Sequence, residues 1–174
     1  MSEQHLKIVG VSISRAASVA DVARGAAPRM NVTVEVRNLS AKQLHVWTEC
    51  RARSYDAASH VLTIRLAERV APLPPHIKLI SDHPRTPAQI AVAGKAGARI
   101  QLHLAGTIRR LTPGQGIGRS FVDDPIGPVD QVDISVQYGA EPIQYAAGES
   151  PADFRARLRA HGQVAQATVA PAEG

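Results

Sequence analysis

The sequence predicts an all-β fold: an antiparallel sandwich of two packed sheets, with about seven to nine strands and a short C-terminal helix or arm. Apolar and polar residues alternate with period two in one segment after another, as they do in strands that bury one face. No segment between these strands predicts a helix long enough for a βαβ unit. With 174 residues, of which 44% are hydrophobic and 20% charged, the chain can bury a single two-layer core.

The first half of the chain contains four predicted strands, with a break at residues 15–29 and two polar turns between them. The break contains small residues, Gly25 and Pro28, and it allows one short helical turn or a long loop. We expect the second and third strands to form a hairpin across residues 38–42. The expected inward faces are Val9, Val11 and Ile13; Val32, Val34 and Val36; Leu44, Val46, Thr48 and Cys50; and Leu62, Ile64 and Leu66.

The second half predicts shorter strands and one long loop. A group of prolines excludes a central strand at residues 72–75 and predicts a crossover before a short strand at 76–80. Residues 90–92 and 99–104 are expected to form a second hairpin across a glycine-containing turn. Residues 112–130 hold four glycines, three prolines and three aspartates and predict a long exposed loop. The inward faces expected here are Ile100, Leu102 and Leu104; and Val132, Ile134, Val136 and Tyr138.

Two of these segments resemble a known fold family. The alternating strand that ends in VEVRN, and the apolar pair Ile90 and Val92 that leads through a glycine turn into IQLHL, resemble strands of the immunoglobulin-like superfamily. The resemblance covers about residues 6–145 and implies an immunoglobulin-like sandwich. The chain lacks the paired cysteines of antibody-type domains, because Cys50 is its only cysteine. The resemblance therefore implies a fold and no functional residue.

Residues 149–174 are expected to form a C-terminal arm that follows the sandwich of residues 1–148. Ser150 in a cap position and Pro151 at the first helical position predict a helix over 151–161. An edge strand is the alternative, because apolar residues and arginines also alternate in this segment. The Ala-rich tail after the helix is expected to fray.

The same segment contains the residues best suited to a protein partner. A helix would gather Arg155 and Arg159 on one side, next to Phe154 and Leu158. The alternative is that the two apolar side chains dock the helix against an open sheet edge. The predicted partner-binding residues are Phe154, Arg155, Arg157, Leu158 and Arg159.

Charge and composition argue against several classes of partner. The net charge of +5 is spread along the chain, and few aromatic side chains are available to stack on bases, so no specific nucleic-acid binding is expected. No apolar stretch is long enough to predict a membrane span. The first residues lack the pattern of an export signal, and a single cysteine allows no intrachain disulfide, so a cytoplasmic location is expected.

No group of residues predicts an active site, so we expect neither an enzyme nor a cofactor. The seven histidines are dispersed and Cys50 alternates with core residues, which argues against a zinc site or a reactive thiol. The glycine-rich run at 113–118 lacks the flanking strand and helix that a phosphate site requires. Four carboxylates near the long loop are weak candidates for binding a hard cation: Asp123, Asp124, Asp130 and Asp133.

These observations predict a non-catalytic protein–protein interaction or structural assembly module. Its binding mode would be a protein partner or self-association into a homo-oligomer. Two alternatives stay open. The acidic loop at 112–130 could bind a cation or a small ligand, or the chain could be an accessory subunit of a larger enzyme.

Overall fold

In the computed structural model of the protein, the described residues are 3–17, 19–68, 85–112 and 120–173. The elements in chain order are β1 (Leu6–Ala16), α1 (Val19–Ala23), β2 (Arg29–Asn38), β3 (Leu44–Trp47), β4 (Ala52–Asp56), β5 (Val61–Leu66), β6 (Gln89–Val92), β7 (Gly97–Leu104), β8 (Thr107–Thr112), β9 (Ser120–Pro125), β10 (Gln131–Gly139), α2 (Pro151–Ala160), β11 (Gln163–Val169) and β12 (Ala172–Glu173). The expected strand at 76–80 and the glycine-rich run at 113–118 lie outside the described residues. Neither of the two helices is long and apolar enough to cross a membrane, among the residues described.

The strands form two larger sheets and one two-stranded ribbon. Sheet A has the order β12-β1-β2-β7, and sheet B has the order β4-β5-β10-β3-β6, with β11 on the other edge of β10. The ribbon consists of β8 and β9. β5 lies parallel to β10, and β12 lies parallel to β1, so the expectation of purely antiparallel sheets is wrong. Side chains alternate in the same way in both strand directions, so the sequence pattern cannot separate them.

Buried side chains of both sheets form one core cluster. The inward faces expected for β2, β5, β7 and β10 are confirmed, since buried apolar residues alternate along each strand with the residues between them. Val34, Ile64 and Val136 are all 0% exposed. On β10 the outward-facing Gln137 is also 0% exposed, because α2 covers it, and its amide donates to the carbonyl of Leu158 in α2 at 2.7 Å.

β1 departs from the expected alternation at one point. Leu6, Ile8 and Val11 are buried, whereas Val9, which was expected inside, is 55% exposed. The pairing with β2 shifts between Ile8 and Gly10, which is a β-bulge. The bulge inserts one residue into the strand, so the inward positions change from even to odd numbers. A single glycine inside a strand pattern is the sequence signal for a bulge, and Gly10 carries it.

Neither expected hairpin is present. β2 and β7 lie in sheet A, whereas β3 and β6 lie in sheet B, so the two short connections cross between the sheets. Asn38 ties the connections together, because its buried amide donates to the carbonyls of Val92 and Ala93 at 3.0 and 3.1 Å. Gly94 permits this close approach, since a Cβ there would lie 2.1 Å from the carbonyl oxygen of Ala41. A short connection is compatible with a hairpin and with a crossover between sheets. Alternation does not determine which strand is the pairing partner.

The C-terminal segment is packed on the rest of the chain. The predicted helix is confirmed as α2, with Ser150 as its N-cap accepting from the amide of Asp153 at 3.1 Å, so the edge-strand alternative is wrong for 151–160. The expectation that the tail frays is wrong as well. β11 pairs with β10 from Val132 to Tyr138. Ala165 in β11 is 0% exposed and belongs to the core cluster.

Candidate interaction surfaces

The predicted loop at 112–130 contains a strand, because β9 pairs with β8 in the ribbon. Neither strand pairs with a third strand in the described part of the chain, so each has one open edge. The expectation of a loop is therefore wrong for residues 120–125, which form a strand. Sequence reasoning missed a usable signal here, since Ile108, Phe121 and Val122 favour strands and flank a glycine-rich run.

Two arginines fix the base of the ribbon to the sheets. Arg53 of β4 donates to the carbonyls of Ala105 and Thr107 at 2.7 and 3.0 Å. Arg15 of β1 donates to the carbonyl of Ile126 at 2.7 Å. Ile126 is itself 3% exposed and belongs to the core cluster. Charge-assisted hydrogen bonds and a buried side chain thus anchor the base, while the paired strands lie outside both sheets.

Two of the four candidate cation ligands form ion pairs within the ribbon. Asp123 accepts a hydrogen bond from Arg109 at 3.0 Å, and Asp124 accepts one from Arg110 at 2.7 Å. These hydrogen bonds lower the pKa of both carboxyl groups. The negative charges are therefore already matched by cations of the same ribbon.

The other two carboxylates lie apart from this pair. Asp130 Oδ2 is 2.8 Å from Nδ1 of His60, and Asp133 accepts from the Thr168 hydroxyl at 2.8 Å. Within residues 3–17, 19–68, 85–112 and 120–173, no three His, Cys, Asp or Glu side chains are grouped as metal ligands would be. The geometry gives the cation-binding alternative no support.

Several exposed apolar side chains lie on α1 and the ribbon. Val19 and Val22 of α1 are 89% and 67% exposed, and Phe121 and Val122 of β9 are 64% and 40% exposed. A cavity of about 740 Å³ lies between the segment that follows α1 and the ribbon base, so these elements are at the same end of the molecule. Exposed apolar side chains at one end of the molecule are candidates for contact with another protein.

The predicted partner-binding helix is docked on the outer face of sheet B. Phe154 and Leu158 are 0% exposed and form a second buried cluster with Trp47 and Ile143. Phe154 and Leu158 dock the helix on the rest of the chain, which was the alternative to partner binding. The helix covers a sheet face, however, and not an open edge. By alternation Trp47 lies on the face of β3 opposite Val46, and it is buried because α2 covers that face. Phe154 and Leu158 are inaccessible to a partner in this arrangement.

Arg157 of the same helix binds within the chain. Its guanidinium donates to both carboxylate oxygens of Glu149, at 2.9 and 2.8 Å, and these hydrogen bonds lower the pKa of Glu149 to about 2. The guanidinium carbon also lies 5.1 Å from the ring centroid of Phe154. Arg155 is half-buried and Arg159 is exposed. A role for these arginines in partner binding stays a prediction.

Two buried ring nitrogens without hydrogen-bond partners lie near the end of α2, and sequence reasoning missed them. Trp47 Nε1 and His161 Nε2 have no hydrogen-bond partner in the described structure, and the ring centroids are 6.3 Å apart. Burial lowers the pKa of His161, a backbone hydrogen bond with Glu141 opposes this shift, and the nearby Arg157 and His45 add to it. Burial therefore favours the neutral form of the imidazole. No sequence pattern marks this contact, because the two residues lie far apart in the chain.

Cys50 is the one thiol of the chain. It packs against the core cluster, and burial raises the pKa of its thiol. A protonated thiol is a poor nucleophile near neutral pH, so Cys50 offers no catalytic group.

Function has to be inferred from these surfaces. The ribbon end of the molecule combines open strand edges, exposed apolar side chains and a neighbouring cavity. The C-terminal helix is used mainly for internal packing. No family model, no curated protein and no solved structure matches this chain.

Proposed function

We propose that this chain is a non-catalytic protein-interaction module that self-associates through the β8–β9 ribbon. The observation that carries the proposal is a ribbon anchored at its base, open at both edges and bearing the exposed Phe121. Open strand edges pair readily with strands of another chain. Apolar side chains beside such an edge add burial to the backbone hydrogen bonds.

The fold that presents the ribbon is, in this proposal, an immunoglobulin-like sandwich with sheets A and B as its layers. The core cluster supports this assignment because it contains side chains of both sheets. The two crossovers joined by Asn38 support it as well, since chain crossings between layers are common in sandwiches. The ribbon would then leave the sandwich at the end where β7 finishes.

The charges of the ribbon are paired with each other, and in this proposal they decide how a second copy of this chain would lie beside it. β8 carries Arg109 and Arg110, and β9 carries Asp123 and Asp124. A second ribbon that lays its β8 beside this β9 continues the alternation of basic and acidic strands. Laying β8 beside β8 would place like charges opposite each other, which is unfavourable. The favoured contact is therefore head-to-tail and builds a homo-oligomer.

Size exclusion with light scattering on the full chain tests this proposal. The double variant Phe121→Ser/Val122→Ser removes the exposed apolar side chains of β9 and keeps every charge. We expect the mass of the wild type to rise with protein concentration, and the mass of the variant to stay at the monomer value over the same range.

Leu39→Ser is the matched control for this experiment. Leu39 is 41% exposed and follows β2, at the end of sheet A opposite the ribbon. This variant should associate like the wild type. A wild type that is monomeric at every concentration overturns the proposal, and equal loss of association in both variants overturns the assignment to the ribbon.

A further inference from the structure

The outer face of sheet A carries a group of cations where β1 begins and β2 ends. Lys7 and Arg37 are paired directly across the two strands, and both side chains are exposed. Like charges in directly opposed positions destabilise a sheet. Neither side chain forms an ion pair with any residue in the described part of the chain. Their repulsion is therefore uncompensated within the described fold.

Two further cations lie beside this pair. Arg37, Lys95 and Arg99 line one cavity of about 570 Å³, and Glu35 is the one carboxylate among the described residues of its wall. Arg99 Nε lies 2.8 Å from Glu35 Oε1, so this carboxylate is matched to Arg99. The positive charges of Lys7, Arg37 and Lys95 therefore have no carboxylate partner among the described residues around the cavity.

The backbone of Lys95 is in a conformation that does not suit lysine. Its φ of 63° lies in the left-handed region, where glycine and asparagine are favoured. Its ammonium group donates to the carbonyl oxygen of Leu39. The left-handed turn does not require lysine, and Lys95 places a positive charge in the wall of the cavity.

An exposed apolar side chain lies among these charges. The bulge in β1 turns Val9 outward, where it is 55% exposed and contributes to the wall of the same cavity. β-bulges commonly redirect a side chain toward a binding site. A ligand that fits this surface has to pair negative groups with the cations and also cover Val9.

We propose that this surface, which we name the basic face and define by Lys7, Val9, Arg37 and Lys95, binds an acidic, extended polypeptide segment of a partner protein. Carboxylates of the segment would pair with the three cations, and one of its apolar side chains would cover Val9. Charge complementarity is the basis for this choice. A single-stranded nucleic acid would also match the cations, but the basic face has no aromatic ring on which a base could stack. This proposal does not depend on the ribbon.

Fluorescence anisotropy with two labelled probes tests the proposal on the full chain at low salt. One probe is a peptide of alternating Glu and Val, about ten residues long, which covers the length of a strand. The other is a single-stranded oligonucleotide with the same number of negative charges. We expect the peptide to bind more tightly than the oligonucleotide, and Arg37→Glu to weaken peptide binding by about tenfold.

Two further variants separate the basic face from net charge and from folding. Arg24→Glu changes the net charge equally at the other end of the β1–β2 pair, and it should weaken binding by less than about twofold. Lys95→Asn should weaken binding with little change in the melting temperature, because Asn accepts the left-handed conformation and this offsets the lost hydrogen bond to Leu39.

Three results would overturn the proposal. The first is that the peptide does not bind to the wild type. The second is that Arg24→Glu weakens binding as much as Arg37→Glu, which would make the attraction a net-charge effect. The third is tighter binding of the oligonucleotide, which would assign the basic face to nucleic acid.

Discussion

Gly94 shows how a single residue lets the two crossovers pass each other. A Cβ at this position would lie 2.1 Å from the carbonyl oxygen and 2.5 Å from the carbonyl carbon of Ala41. Backbone atoms cannot rotate away as a side chain can. We expect Gly94→Ala to lower the free energy of unfolding by about 1–3 kcal/mol in urea denaturation. Gly10→Ala is the control, since a Cβ there meets nothing within 4 Å, and equal effects of the two substitutions would contradict the crossover contact.

His161 gives the stability of the protein a pH dependence of defined sign. Burial holds the pKa of His161 below its ordinary value, whereas the imidazole of an unfolded chain titrates at about 6.5. Below that pH the unfolded chain takes up a proton that the folded chain resists, so the free energy of unfolding falls as the pH falls. Urea denaturation should show a smaller loss between about pH 7 and about pH 5 in His161→Gln than in the wild type.

His103→Gln is the matched control for this pH dependence. The His103 side chain is exposed, and its Nδ1 lies 2.8 Å from Oδ1 of Asn31 on the outer face of sheet A. This variant should keep the slope of the wild type. If His161→Gln also keeps that slope, the buried ring pair with Trp47 is not its source.

At the scale of elements, the packing of α2 on sheet B should contribute strongly to stability. Phe154 is 0% exposed in the cluster that joins the helix to Trp47, and we expect Phe154→Ala to cost about 3–5 kcal/mol. The same substitution at Phe121, which is 64% exposed, should cost less than about 1 kcal/mol in the monomer. Thermal and urea denaturation of dilute protein compare the two. Similar costs would show that α2 is not a packed part of the fold.

The strands themselves are more predictable from the sequence than the strands they pair with. Val32, Val34 and Val36 alternate strictly with polar residues, so the pattern predicts both the strand and its buried face. The choice of neighbour depends on contacts such as the one between the Asn38 amide and the carbonyl of Val92. Alternation does not encode such contacts, and for this reason both expected hairpins were wrong.

The burial of residues that depart from alternation cannot be predicted from their own strand alone. Val9 is exposed because the bulge shifts the register of β1, and only Gly10 hints at this in the sequence. Trp47 is buried because α2, which follows much later in the chain, covers its side of β3. The capping signals at Ser150 and Pro151 predict the helix well, yet they do not say what the helix covers.

At the scale of the whole molecule, the two proposed binding surfaces lie at opposite ends of sheet A. The ribbon follows the last residue of β7, whereas the basic face lies where β7 begins and β2 ends. Neither surface could be predicted from composition. The glycines and prolines at 112–130 predict a loop where β9 lies, and the net charge of +5 looks evenly spread along the chain. Only the pairing of strands brings Lys7 opposite Arg37 and β9 beside β8.

Hydrogen–deuterium exchange of the full chain at low and high protein concentration tests the ribbon as the self-association surface most directly. Backbone amides on an open strand edge exchange quickly, and pairing with a second chain protects them. Self-association through the ribbon predicts slower exchange over residues 107–112 and 120–125 as the concentration rises. Exchange over β10, which lies between β5 and β11 in sheet B, should not change. Ribbon exchange that is independent of concentration would contradict the proposal.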